Sequence, residues 1–201
     1  IKYVEHAFPD QLPNLSTCKS PHMMLGALAK SYYAEKLGID PKSIFVVSVM
    51  PCTAKKYEIT RDEMKGDVDA VLTTRELAKM IKEAGIDFRQ LSDEVFDNPL
   101  GLSSGAADIF GTTGGVMEAA LRTVYEVVTG RGLPFENLHV KPIMGLDGIK
   151  EREVTFEHTA EQWKAAEGVT IKFAAASGLS NAKILLQQIL EGVSPYHFIE
   201  I

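Results

Sequence analysis

The sequence is poor in several things, and each shortage excludes something. It has two cysteines, Cys18 and Cys52; two cannot build a disulfide framework, and such a chain suits a reducing, cytoplasmic interior. No apolar run approaches the ~20 residues that cross a bilayer, so no membrane span is expected. The first residues, Ile1-Lys2-Tyr3-Val4-Glu5-His6, have neither the basic head nor the apolar stretch of a targeting peptide. Positive charge is not concentrated anywhere and the net charge is -6, which argues against a nucleic-acid partner bound through a basic stripe. The histidines, His6, His22, His139, His158 and His197, lack the close pairing of a zinc site. There is no Gly-x-Ser-x-Gly elbow and no Gly-Lys-Ser/Thr phosphate loop.

What is present is ordinary globular material. The 201 residues are 45% hydrophobic and 24% charged, enough for one or two domains with a real core. Ser20-Pro21 opens a helix, with serine placed to cap and proline suited to the first turn; its apolar face runs through Met23, Met24, Leu25, Leu28 and Tyr32 until Gly38. Ile44–Met50 is a nearly continuous β-branched run, the pattern of a strand covered on both sides. Asp69–Thr74 is a second strand, followed directly by a helix over Arg75–Ala84. The glycine-marked loop Phe110–Gly115 leads into a helix over about Val116–Val128, with Val116, Ala119, Ala120, Thr123, Val124 and Val127 as its expected buried side. His139–Met144 and Lys150–Phe156 read as a hairpin joined by Leu146-Asp147-Gly148. Val169–Ala175 is a strand, Asn181–Leu190 a helix, and Tyr196–Ile201 the start of another strand. The expected fold class is α/β, with mixed, mostly parallel sheets flanked by helices. Both ends are abrupt, the last inside a strand-like pattern, as expected of an excised fragment.

The sharpest chemical signal is Met50-Pro51-Cys52-Thr53-Ala54-Lys55-Lys56-Tyr57-Glu58. A strand delivers Cys52 to its carboxyl end, where open α/β sheets place ligands, and positive neighbours favour a thiolate, the metal-binding form. The plainer reading is a buried structural cysteine beside two solvated lysines. Cys18 precedes a helix start and reads first as a small packing residue, with Ser16 and Ser20 nearby as caps or relay groups. Phe110–Gly115 is either an anion cradle at a helix N-terminus or a plain turn. No second cysteine has metal-ligand spacing to Cys52, so a complete iron–sulfur site, which needs about four thiolates, is not expected within this chain.

These residues resemble the [FeFe]-hydrogenases, the iron-only hydrogenases. Met50–Glu58 is similar to their second signature, M-P-C-x-x-K-x-x-E, and the likeness continues through Asn14–Pro21, Asp67–Leu77, Ser104–Ala120, Gly145–Lys150 and Tyr196–Glu200. The chain resembles the part of a catalytic large subunit between the first and third cysteine signatures, with a partial H-cluster domain over 1–201 and two intertwined lobes of about 1–130 and 131–201.

The resemblance implies roles. The family's cofactor is the H-cluster, a four-iron cluster joined through a cysteine to a two-iron unit carrying CO, cyanide and a bridging dithiolate amine. Cys52 would be one of four thiolate ligands of the four-iron part. Lys55 would donate to an iron-bound cyanide, a strong charge-assisted bond, and Met50 would pack near the bridging carbonyl. Ser20, Pro21, His22, Phe110 and Gly111 would line the two-iron unit, His22 standing where well-known members commonly have glutamine. Ser16 aligns with a proton-relay serine. The parent would interconvert H2 with protons and electrons, exchanging electrons with ferredoxin or NAD(P)-linked subunits, while this fragment alone would bind no cluster and be inactive. The alternative is a hydrogenase-like iron–sulfur assembly protein of the prelamin-recognition-factor type, which lacks the two-iron unit.

Overall fold

The computed structural model describes residues 1–101, 104–133, 141–142 and 148–201. In chain order its elements are α1 (Lys2–Ala7), α2 (Pro21–Leu28), α3 (Ala34–Leu37), β1 (Val47–Met50), α4 (Ala54–Glu58), β2 (Ala70–Thr73), α5 (Thr74–Glu83), α6 (Ala106–Ile109), α7 (Gly115–Thr129), β3 (Lys141–Pro142), β4 (Ile149–Thr155), β5 (Thr170–Ala176), α8 (Leu179–Leu190) and β6 (Phe198–Glu200). They form two compact units: Ser16–Leu102, and Ile1–Leu15 with Ser103–Ile201. The chain therefore divides elsewhere than at the lobe boundary expected near residue 130.

In the Ser16–Leu102 unit, β1 and β2 pair in parallel, Val47 opposite Ala70 and Met50 opposite Thr73. Strand alternation turns Val46 and Ser48 to one face, where Met23 of α2 packs with Val46, Val68 and Val71. Gly26 permits this approach, because a Cβ there would stand 2.4 Å from the Asp67 carbonyl oxygen. The opposite face is open: Phe45, Val47 and Val49 are all exposed. The expectation of a strand covered on both sides therefore fails, and the strand itself begins at Val47. A continuous apolar run identifies a strand but does not count the layers over it. The helix opening at Pro21 does run to Gly38, which closes it at φ 66, but a π-helical stretch, Ala29–Tyr33, separates α2 from α3. α5 begins with a capping box in which Thr73 and Glu76 bond each other's backbone amides.

In the other unit the sheet order is β3-β4-β5-β6. β4 is antiparallel to β3 and β5, and β6 is parallel to β5. The hairpin is thus present as pairing, while most of its expected turn, Leu146 and Asp147 included, lies outside the described residues, as do His139 and Met144. Val154, Phe173 and Ala175 face α7, whose Met117, Leu121, Tyr125 and Val128 complete that core. Ile149, Ala174 and Ala176 face the other way, onto Leu185 of α8, and Val4 and Phe8 pack on Leu186. Three consecutive buried alanines on β5 let helices approach both faces closely. The buried side of α7 is not the expected one. Val116, Ala120, Thr123, Val124 and Val127 are exposed, and of that set Ala119 alone is buried. The fold is α/β, with mixed sheets flanked by helices, two strand pairings being parallel and two antiparallel.

Candidate functional site

β1 ends at Met50, half-buried, and the chain turns through Pro51, Cys52 and Thr53 into α4. Proline, with no N–H, cannot extend a strand ladder, which fixes the turn here. Cys52 is unpaired and exposed, so its reading as a buried packing cysteine is set aside. Cys18 is also exposed, against the packing role expected of it. Its backbone N–H donates to Ser16 Oγ at 3.2 Å, a local turn on the surface that occupies the serine as an acceptor.

One turn along α4, Lys55 Nζ donates to Glu58 Oε2 at 2.7 Å. The same oxygen lies 3.1 Å from His22 Nε2, and His22 Nδ1 lies 3.0 Å from Ser48 Oγ. Strand alternation explains the meeting: Ser48 is on the inner face of β1, under the first turn of α2 that carries His22. Both are buried. Burial pushes the Glu58 carboxyl up, but bonds from Lys55, Ser20 and His22, with the Lys55 charge, outweigh it and hold the group below the ordinary carboxylate range. Glu58 is thus an ionised acceptor at neutral pH. The proton facing it must sit on His22 Nε2, and in the neutral ring Nδ1 accepts from the Ser48 hydroxyl.

Ser20 is at the N-cap position of α2 but makes no capping bond. Its Oγ is buried without a well-formed hydrogen bond, although it stands close enough to Glu58 to help depress that carboxyl. The expected cap is therefore a hydroxyl turned inward. Pro21 is exposed at the first helical position.

In the second unit, Phe110 and Gly111 lie between α6 and α7 and are exposed. The loop they open does receive an anion, supplied by the chain itself. Glu200 accepts from the Gly114 amide at 3.1 Å through Oε1 and from the Met117 amide at 2.7 Å through Oε2. Close backbone approach demands the glycines: Gly114 sits at φ 88, and a Cβ on Gly115 would stand 1.9 Å from the Ile109 carbonyl oxygen.

A four-iron cluster needs about four thiolates, and this chain has two cysteines. Among the described residues no three His, Cys, Asp or Glu side chains converge as a ligand set. The chain's donors fit a contribution to such a cluster rather than the whole of it: an accessible thiol on Cys52, a paired ammonium three residues on, and a buried hydroxyl on Ser20 turned towards Glu58. The structure brings Ser20, His22 and Lys55, expected as cluster-facing residues, together around Glu58. Sequence reasoning assigned no part to Glu58, Ser48 or Glu200, although Glu58 follows Lys55 at helical spacing and could have been found that way.

Comparison with known proteins agrees over the whole chain. The chain is 50% identical to the periplasmic [Fe] hydrogenase large subunit of Nitratidesulfovibrio vulgaris, covering 99% of this chain and 45% of that protein. It is 48% identical to the NADP-reducing hydrogenase subunit HndD of Solidesulfovibrio fructosivorans, covering 100% and 33%. An apo [FeFe]-hydrogenase structure from Chlamydomonas reinhardtii superposes with a TM-score of 0.82 at 42% identity, over 99% of this chain and 55% of that one. The chain thus spans between a third and just over half the length of these proteins. More distant similarity reaches a probable cytosolic Fe-S cluster assembly factor of Nematostella vectensis, at 35% identity. Among the described residues no helix is long and apolar enough to cross a membrane. The profile of the iron only hydrogenase large subunit, C-terminal domain, matches residues 1–201, and the chain belongs to that family.

Proposed function

We propose that this chain is part of an [FeFe]-hydrogenase catalytic subunit whose parent interconverts two protons and two electrons with H2. The observation that carries the reading is the β1–α4 corner, which presents Cys52 as an open thiol beside a lysine whose ammonium is already held by a carboxylate. The H-cluster, when bound, supplies the redox chemistry. The chain's own residues bind and orient. Cys52 gives one thiolate to the four-iron part. Lys55 has three N–H donors, of which Glu58 takes one, and offers the rest to an anionic ligand such as cyanide. Ser20, Pro21, His22, Phe110 and Gly111 line the two-iron unit, Met50 supplies a deformable thioether, and the Ser16 hydroxyl accepts and passes a proton. With two cysteines in the chain, the parent supplies the other thiolates, and this chain alone evolves no hydrogen. Electrons come from ferredoxin or an NAD(P)-linked subunit. Two unpaired cysteines support a reducing compartment such as the cytoplasm.

The test is Cys52→Ser in the full-length parent, followed by iron analysis and electron paramagnetic resonance. The expected result is loss of the four-iron signal and of H2 evolution. Full iron content and activity in that variant would defeat the assignment. The assembly-protein reading predicts a parent that takes up a four-iron cluster yet evolves no hydrogen after exposure to the two-iron precursor; higher identity to the named hydrogenases favours the enzyme.

A further inference from the structure

We infer that Glu58 is the positioning residue for Lys55, and that His22 fixes Glu58 in turn. The inference rests on the reading of Lys55 as a donor to the cluster's anionic ligands and adds what aims it. A lysine ammonium on four methylenes has no preferred direction of its own, and ordering it carries an entropic cost. Here one carboxylate oxygen, Glu58 Oε2, gathers both Lys55 Nζ at 2.7 Å and His22 Nε2 at 3.1 Å. The second bond matters because Glu58 ends the five-residue α4, which cannot hold a side chain rigidly by itself. His22 does so from a different element, α2, and is anchored through its other ring nitrogen to buried Ser48 on β1. Two elements, α4 and α2, therefore meet on one oxygen, with β1 anchoring the imidazole from behind, and the ammonium is left with two N–H groups at a fixed place.

The arrangement also settles the direction of each bond. Glu58 is acceptor-only, so both Lys55 and His22 donate to it. A residue at position 22 without an N–H donor breaks the chain at its middle, whereas glutamine keeps a donor at similar reach. The imidazole is thus a clamp on the lysine's counter-ion, acting through Glu58.

The experiment uses the full-length parent carrying its matured cluster, read by the infrared cyanide stretching bands, with iron content and circular dichroism as checks on loading and folding. Lys55→Met is the reference. Glu58→Gln is expected to move the cyanide bands in the same direction as Lys55→Met and to lower turnover roughly 10- to 100-fold, the loss expected for one charge-assisted bond. His22→Leu is expected to move them likewise, with His22→Gln lying closer to the parent spectrum. If Lys55→Met shifts the bands while Glu58→Gln leaves them at the parent position, the positioning role is overturned and the reading of Lys55 stands. If Lys55→Met itself leaves the bands unmoved, the reading of Lys55 fails and the inference falls with it. Should Glu58→Gln fail to fold, the His22 pair decides, and equal spectra for His22→Leu and His22→Gln overturn the clamp.

Discussion

Glu200→Ala should loosen the start of α7, and the size of the effect follows from the bonds lost. The first amides of a helix have no acceptor within it. Gly114, at the N-cap position of α7, has no side chain to offer one. Glu200 supplies both acceptors from β6, at 3.1 Å to the Gly114 amide and 2.7 Å to the Met117 amide. Losing a side-chain cap costs about 1–2 kcal/mol, and removing a negative charge beside a helix N-terminus costs about 0.3–1 kcal/mol more. Local opening should therefore become roughly 10- to 100-fold more frequent, taking about 1.4 kcal/mol per factor of ten. Hydrogen exchange measured by mass spectrometry across residues 109–121 of the folded parent reads this directly. Protection of that peptide should fall by the stated factor in Glu200→Ala, with Glu200→Gln in between because its amide keeps one acceptor oxygen. Unchanged protection in a folded Glu200→Ala protein would refute the argument, since some other group would then be satisfying those amides.

Two further outcomes follow. Gly26→Ala forces a Cβ to within 2.4 Å of a backbone carbonyl, so α2 must shift off the Asp67–Val68 backbone; a loss of about 1–3 kcal/mol is expected, and an unchanged denaturation midpoint would contradict it. In acid, two surface carboxylates should stay ionised far below their ordinary value of 4.5: Glu76, lowered to about 2 by bonds from Lys56 and then from the Thr73 amide and hydroxyl, and Glu167, lowered to about 2 by the Thr159 amide and hydroxyl and the His158 amide. Because the folded values lie below the unfolded ones, protons bind the unfolded chain first. Their stabilising effect is complete above about pH 4.5 and is lost as pH falls towards 2. Carbon-detected titration of the two side chains checks this, and midpoints near 4.5 would contradict it; Thr73→Ala should raise the Glu76 midpoint and leave that of Glu167 in place.

How far the sequence could be read depended on whether a feature is local. Strands and helices were recognisable because alternation, Pro21 at a helix start and Gly38 at a helix stop act over a few residues. The buried side of α7 was misjudged for a physical reason: Val116, Ala120, Val124 and Val127 recur at helical spacing, but so do Met117, Leu121, Tyr125 and Val128. Periodicity alone does not rank two apolar stripes. The larger side chains won, as buried area requires, and they are the ones that meet Phe173 and Phe156. The open face of β1 was invisible for a similar reason, since an apolar run says nothing about what lies over it.

The candidate site divides along the same line. Lys55 and Glu58 are three apart on one helix, so their pairing is a local matter, whereas His22 lies 36 residues from Glu58 and reaches it because α2 packs over the β1–β2 pair, with Gly26 against the Asp67–Val68 backbone. The glycine loop makes the point most sharply. Small residues before a helix indicate that its amides want a negative partner, and the partner proved to be Glu200, 86 residues beyond Gly114. A helix N-terminus fixes the sign of what must sit there, but only the tertiary fold decides whether that charge is a ligand or another part of the chain. Here the carboxylate comes from the edge strand β6, so the same two bonds tie the start of α7, and the loop bearing Phe110 and Gly111 that leads into it, to the strand that pairs with β5.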